Sequence, residues 1–440
     1  MKPQKIYFMH ARAMNLETSM AAKGVWLFEK AGLDKCFEPG DSVAVKLHMG
    51  EYFNTAYLRP VLVRAIVDKI KEYGGKPFVT DTTTLPYHEY INRVTAKDHL
   101  FTAAMNGFTN ESMGCPIIIA DGAIGTDDVR IDLPEGFVLQ EQYIAREIAD
   151  ADAVIVLSHF KGHPIATFGG AIKNIGVGCA SKRGKYNVHL GKHPTYGVQK
   201  SGFNPKLCKG EACKKAFYCK NACPEGAITL TKDSIKWDRD KCKGCTCHML
   251  KTLSCGVFTL PDGYFEVTSA AIADSALALM KLEGKGKVGF INFAIDITPW
   301  CDCVPFSDSP MLPNIGVFAG LDPVAIDQAC LDKATEISAI PNSQADEYGV
   351  GKAGDEKFTI ASSLMGINVH IQLKVGEKIG LGTRNYELLE IEPGEPEYFK
   401  PREVPLGKYM AKYYKNGHPY PEKGFKRREK VDLEYLTSEK

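Results

Sequence analysis

The sequence predicts an α/β protein, with a mostly parallel sheet, helices on both faces and a small cysteine-rich α+β insert interrupting it. Three observations point there. Strand-like and helix-like segments alternate over the first 200 of the 440 residues, which is the grammar of βαβ units. The alternation resumes after residue 263. Between the two stretches, eight of the fourteen cysteines crowd into the span from Cys208 to Cys255.

Taken in order, Lys5–Met9 reads as a strand and Leu16–Ala31 as a helix. Val43–His48 alternates apolar and polar residues, the signature of a half-buried strand. Pro60 opens a helix with Leu62, Ala65, Ile66 and Ile70 on one face, and Gly74-Gly75 ends it. Pro77–Thr80 reads as a strand, Gln140–Ala149 as a helix and Ala153–Ser158 as a strand buried on both faces. After the cysteines come a helix at Ser269–Leu282, strands at Val288–Asn292 and Ile315–Phe318, and a helix after Asp322-Pro323. The expected organisation is an α/β domain over 1–200 and 263–368, an insert over 201–262, and a C-terminal extension over 369–440. The last part of that extension is rich in Pro, Tyr, Lys and Glu, which suggests an arm lying on the body or on a second subunit, so a homo-oligomer is one expectation.

A formal net charge of +1 gives no argument for nucleic-acid or membrane-surface binding. No apolar run approaches the length of a membrane span. The N-terminal MKPQKIYFMHARAMN has neither an apolar core nor a small-residue cleavage site, so the expected location is cytoplasmic. In that compartment dense cysteines read as metal ligands rather than disulfides.

The cysteines form two runs. Cys208, Cys213, Cys219 and Cys223-Pro224 make the first, and Cys242, Cys245, Cys247 and Cys255 the second. Both end alike, in CPEGAITL and CGVFTL, as an internal duplication. The two-cluster bacterial pattern writes C-x2-C-x2-C-x3-C-P twice, and the fourth cysteine of each run ligates the other cluster. That rule predicts a ferredoxin-like insert with two 4Fe–4S clusters, one on Cys208, Cys213, Cys219 and Cys255, the other on Cys242, Cys245, Cys247 and Cys223. His248 stands where a standard run has its third cysteine and can replace Cys247. Zinc ribbons also use C-x2-C pairs; the Cys-Pro ending and the repeated Thr-Leu favour iron–sulfur.

Ligands of open α/β sheets bind beyond the carboxyl ends of the strands. Five predicted strand ends carry polar groups there: Lys46 and His48; Asp81 and Thr82; His159, Lys161 and His163; Cys301 and Cys303; and Asp322. The stretch GGAIKNIGVGCASKRGK adds Gly169, Gly170, Lys173, Asn174 and Cys179, a glycine-rich, basic loop suited to an anion but without the spacing of a Walker A motif. Cys179, Cys301 and Cys303 are candidates for a third metal or cluster, an electron relay or a reactive dithiol, or are inert core thiols.

HFKGHPIATFGGAIKNIGVGCASKRGK and PWCDCVPFSDSPMLPNIGVFAGLDPVAIDQAC resemble the hallmark blocks of the family catalogued as domain of unknown function 362, and VKLHMGE and VTDTTT resemble its N-terminal blocks. The resemblance covers residues 40–335. It implies an iron–sulfur protein with a ferredoxin-type segment, because many members are described so. The stretched cysteine spacings and the absence of a proline after Cys255 depart from the ferredoxin pattern. The resulting expectation is an anaerobic-type oxidoreductase. Lys46, His48, His159, Lys161, His163, Cys179, Cys301 and Cys303 would act on an anionic substrate or cofactor held by Asp81, Thr82, Gly169, Gly170, Lys173 and Asn174. A low-potential electron carrier would be its partner. The alternatives are an electron-transfer or activation partner of another metalloenzyme, with no substrate of its own, and a non-redox enzyme with structural clusters.

Overall fold

A computed structural model describes residues 2–86, 91–214, 216, 219, 223–245, 255–392, 414–428, 430 and 431. Cys247 and His248 lie outside the described residues. The chain divides into a unit over 1–394 and a second over 395–440.

Among the described residues, one sheet of the first unit has eight strands: β1 (Gln4–His10), β2 (Ser42–Lys46), β3 (Lys76–Asp81), β4 (Ile117–Ile119), β5 (Ala153–His159), β6 (Val288–Ala294), β7 (Gly316–Gly320) and β8 (Tyr386–Glu390). Their order is β8-β1-β7-β6-β5-β2-β3-β4. Neighbours from β6 to β4 run parallel. β7 is antiparallel to both β6 and β1, and β1 and β8 are parallel. The sheet is therefore mostly parallel, with one reversed strand.

The central strands β5 and β6 are buried along their whole length, as expected of strands covered on both faces. The helices include α1 (Met20–Lys30), α2 (Pro60–Glu72), α3 (Ala171–Gly176), α4 (Tyr264–Glu283) and α5 (Pro323–Glu336). Pro60 and Pro323 stand at the first helical turn, where the missing N–H costs nothing. Asp322 caps α5 by accepting from Val324 and Ala325 N–H. α4 is twenty residues long and buries its Ala-rich face in the main core, alongside α3.

Two segments differ from the sequence reading. Gln140–Ala149 is not one helix: Glu141–Ala145 is a strand paired with Asp128–Asp132, and Arg146–Ala149 makes a single turn. The reason is visible in Gln142 and Ile144, which are buried while Glu141 and Tyr143 beside them are only half-buried; Ala145, Ile148 and Ala149 imitate a helical stripe. The second difference lies in the C-terminal extension. Its first part holds the helix Ile371–Lys378 and β8, which completes the main sheet against β1. In the second unit the described residues include the turn Tyr414–Asn416 and an edge-on contact between Tyr420 and Phe425.

The cysteine-rich segment has two short ladders, Gly202–Phe203 with Phe258–Thr259 and Ile228–Leu230 with Ile235–Trp237. Thr229 and Leu230 of the first run's ending thus lie in one ladder, and Phe258 and Thr259 of the second run's ending in the other. Ile228, Ile235, Val257 and Phe258 form a small apolar cluster there, distinct from the main core.

Candidate functional site

The sheet delivers its polar strand ends to one cavity of about 130 Å³, room for a small molecule and many times what one water needs. Lys46, His48, Asp81, Thr82, His159, Lys161, His163, Gly170, Lys173, Asn174 and Cys303 all line it. Among the described residues, Lys46, Arg93, Lys161, Lys173 and Lys185 stand there against a single carboxylate, Asp81.

Lys46 ends β2 and Asp81 ends β3, its parallel neighbour. Their charges meet at 3.0 Å, both side chains buried. Lys46 also donates to Asn174 Oδ1 at 2.9 Å, and Asn174 Nδ2 donates to Leu157 O and Ser158 Oγ at the end of β5. One amide thus ties β2, β5 and α3 together. Gly178 makes room for this: a Cβ there would stand 2.5 Å from Lys46 Nζ. Burial pushes the Asp81 carboxyl up, but Lys46, His99, His48 and Arg93 together hold it below the usual carboxylate range. Burial presses His99 down to about 3 despite Asp81 beside it, and Lys185 down to about 8 despite the charges of Asp121 and Asp81. Lys185 donates to Thr82 Oγ1, and Thr82 in turn donates to Gly178 O at 2.8 Å.

His159 faces an acceptor at each ring nitrogen: Asp302 at 2.9 Å from Nδ1 and Ile295 O at 2.6 Å from Nε2. Lys161 Nζ lies 3.5 Å from the same Asp302. Asp302 thus braces His159 and Lys161 from behind the cavity wall.

Cys301 and Cys303 sit in a turn closed by Val304 N–H donating to Cys301 O at 3.1 Å, not in an extended segment. The Sγ atom of Cys301 receives Lys173 Nζ and Cys303 N–H, each at 3.4 Å. Burial pushes the Cys301 thiol up, but the Cys303 hydrogen bond and the charges of Lys173 and Lys161 outweigh it and hold Cys301 well below the usual thiol range. The hydrogen bond to Cys301 and burial hold Cys303 well above it. The two thiols titrate as a pair, and the donors around Cys301 make it the more acidic member. His163 completes the group, with its ligand atom and both sulfurs within 4.8 Å of one another, a spacing that a metal ion could use. Cys179 is elsewhere. It packs in the main core with no exposed surface, and burial raises its thiol to about 12.

The glycine loop holds an anion, but the chain's own. Ala171 and Ile172 N–H, which begin α3, donate to Asp327 of α5 at 2.7 and 2.9 Å. Gly170 is needed because a Cβ there would lie 2.2 Å from Asp327 Oδ1. Gly169 lies beside Lys161, to whose Nζ a Cβ would come within 3.3 Å. So Lys173 and Asn174 reach the cavity, while the backbone amides of the loop serve the packing of α3 on α5.

The described cysteines of the insert fall into two sets. Burial raises the Cys219 thiol, and the charges that add to it are those of Cys208, Cys255 and Cys213. Burial raises Cys242, and there the neighbours are Cys245 and Cys223. Backbone N–H groups point at sulfur in each set, from Gly210 to Cys208 and from Ala227 to Cys223, both at 3.3 Å. Soft thiolates in such sets suit a metal centre.

The family model described as domain of unknown function, DUF362, matches residues 43–332. The chain belongs to the DUF362 family. The match takes in β2 through most of α5, and with them the cavity residues from Lys46 to Cys303. No curated protein matches this DUF362 sequence. Among solved structures, the lactate racemase apoprotein from Thermoanaerobacterium thermosaccharolyticum is similar over 95% of this chain and 91% of that one, at 13% identity and a TM-score of 0.36; a likeness that loose assigns no DUF362 residue a role. No helix among the described residues is long and apolar enough to cross a membrane.

Arg93, His189, Trp300 and Asp302 were not among the sequence candidates. The first three line the cavity, and Asp302 supports it from behind. His189 caps the helix Lys182–Val188 and Arg93 follows no strand, so no strand-end rule finds them. Asp302 lies between two cysteines, whose own metal and redox chemistry is the stronger signal in that stretch.

Proposed function

We propose that this protein is an iron–sulfur oxidoreductase that handles single electrons and acts on a small anionic molecule in the strand-end cavity. The cysteine sets would hold two 4Fe–4S clusters, one on Cys208, Cys213, Cys219 and Cys255, the other on Cys223, Cys242, Cys245 and Cys247 or His248. When bound, such clusters supply one-electron chemistry at low potential. The chain's own contribution is electrostatic. Lys46, Arg93, Lys173 and Lys185 favour an anion, and Asp81 and Asp302 hold Lys46 and Lys161 in place.

The observation that carries this reading is the contact between the second cysteine run and the cavity wall. Cys245 lies within electrostatic reach of the buried Tyr264. The Tyr264 hydroxyl donates to His189 O at 3.3 Å, and His189 lines the cavity. The turn is also close at the backbone, since a Cβ at Gly244 would meet Gly191 O at 2.6 Å. A soft-ligand metal centre held by these cysteines would stand close to a cationic cavity, the arrangement an electron-fed anion site needs.

The test is anaerobic purification with iron and sulfide quantification and EPR of the reduced protein. About eight irons per chain, with signals of two interacting clusters, support the reading. Four irons, or mainly zinc, refute it.

A further inference from the structure

We propose that Cys301 and Cys303 are a redox-active pair beside the anion cavity, cycling between a thiolate–thiol state and a Cys301–Cys303 disulfide. It deepens the proposed redox function and rests on it for the source of electrons.

Three features of the turn carry the proposal. The sulfurs lie within 4.8 Å of one another, on residues two apart in a closed turn, so a small rotation joins them. Cys301 Sγ is surrounded by donors: the Lys173 ammonium, Cys303 N–H and the His163 ring. Such an environment holds an attacking thiolate. Cys303 is the partly exposed member and lines the cavity, where a substrate reaches it.

The same surroundings argue against a metal at this spot. His163 Nδ1 accepts from Ala166 N–H at 3.0 Å and Ile165 N–H at 3.2 Å. The ring proton therefore sits on Nε2, which leaves neither nitrogen with a lone pair to give. Lys173 places a positive charge 3.4 Å from Cys301 Sγ, where it repels a cation and attracts a thiolate.

The electron balance is simple. Reduction breaks the S–S bond with two electrons and one proton, leaving the Cys301 thiolate and the Cys303 thiol. The electrons come from a low-potential one-electron donor in two single steps. Re-forming the S–S bond passes both electrons to a bound anion that carries a reducible C=C or C=O bond, and that bond takes up two protons, one from Cys303 and one from solvent. The pair thus converts single electrons into a two-electron reduction.

The test uses the full-length protein, purified anaerobically, with its iron measured. Samples poised with titanium citrate or with diamide are unfolded in denaturant and alkylated with iodoacetamide, because Cys301 is buried, and the peptide containing both cysteines is weighed. The pair predicts both cysteines labelled after reduction, neither after oxidation, and an oxidised peptide lighter by two hydrogens. In Cys303→Ser, Cys301 stays labelled in both states. Lys173→Met, which removes the charge that favours the reduced thiolate, shifts the disulfide–dithiol equilibrium toward the disulfide by about tenfold, as the loss of roughly one pKa unit of stabilisation requires. A peptide that is never lighter overturns the proposal, and so does protection that a chelator alone relieves. Iron without the lighter peptide removes the pair and leaves the cluster reading standing; the lighter peptide without iron does the opposite.

Discussion

The Lys46 ammonium and the Asp81 carboxylate meet at 3.0 Å at the ends of two neighbouring parallel strands, both out of contact with solvent. Removing one partner strands the other charge in the interior. Lys46→Met should therefore destabilise the protein by about 3–5 kcal/mol. Lys46→Met combined with Asp81→Leu should recover most of that loss. Urea unfolding measures both; equal destabilisation of the single and the double variant would show that the pair does not matter.

Anion binding should weaken as pH rises through about 8, where Lys185 loses its proton. The sign for stability is the opposite. Folding lowers the Lys185 pKa below its ordinary 10.5, so the unfolded chain binds more protons between the two values and stability rises with pH across that window. Calorimetry with inorganic phosphate from pH 7 to 9.5 checks the first effect. Lys185→Met should abolish the pH limb, and Lys185→Arg should move it out of range.

Gly178→Ala should cost about 1–3 kcal/mol, because the new methyl group collides with Lys46 Nζ and Asn174 O. It should also weaken phosphate binding by displacing Lys46. A variant with wild-type stability and wild-type affinity would show that the backbone shifts freely there.

Cys179 should resist thiol reagents in the folded protein and become reactive only in denaturant, given its burial and raised pKa. Cys179→Ala should leave iron content and phosphate binding unchanged, at a stability cost of about 1 kcal/mol. Mass mapping after iodoacetamide treatment decides it. Labelling of Cys179 in the native state would contradict its packing.

Much of the site was legible because it derives from periodicity and sheet topology. Alternation in Val43–His48 puts Lys46 and His48 on one side of a strand, and the strand-end rule selects Asp81, His159 and His163 without knowledge of the fold. The groups that were not legible arrive by tertiary packing. Arg93 and His189 come from a loop and a helix end, and Asp327 reaches the start of α3 from a helix distant in sequence. The glycine-rich loop looked like a cradle for a ligand because glycines and a helix start fit any carboxylate or phosphate equally well. Only the packing of α5 reveals that the carboxylate is internal. The edge strand β8 escaped notice because a single half-exposed strand in a polar tail carries little hydrophobic signal.

The placement of β1 has a consequence for biosynthesis. Both of its partners, β7 and β8, lie in the last third of the sequence, so a nascent chain carries β1 with two unpaired edges until most of the protein has been made. Contacts that distant in sequence form slowly. During that wait the apolar Ile6 and Phe8 and the open backbone of β1 are available to other chains. The protein should therefore depend on chaperone shielding during synthesis, and shortening it before residue 386 should leave β1 with an exposed edge that favours aggregation.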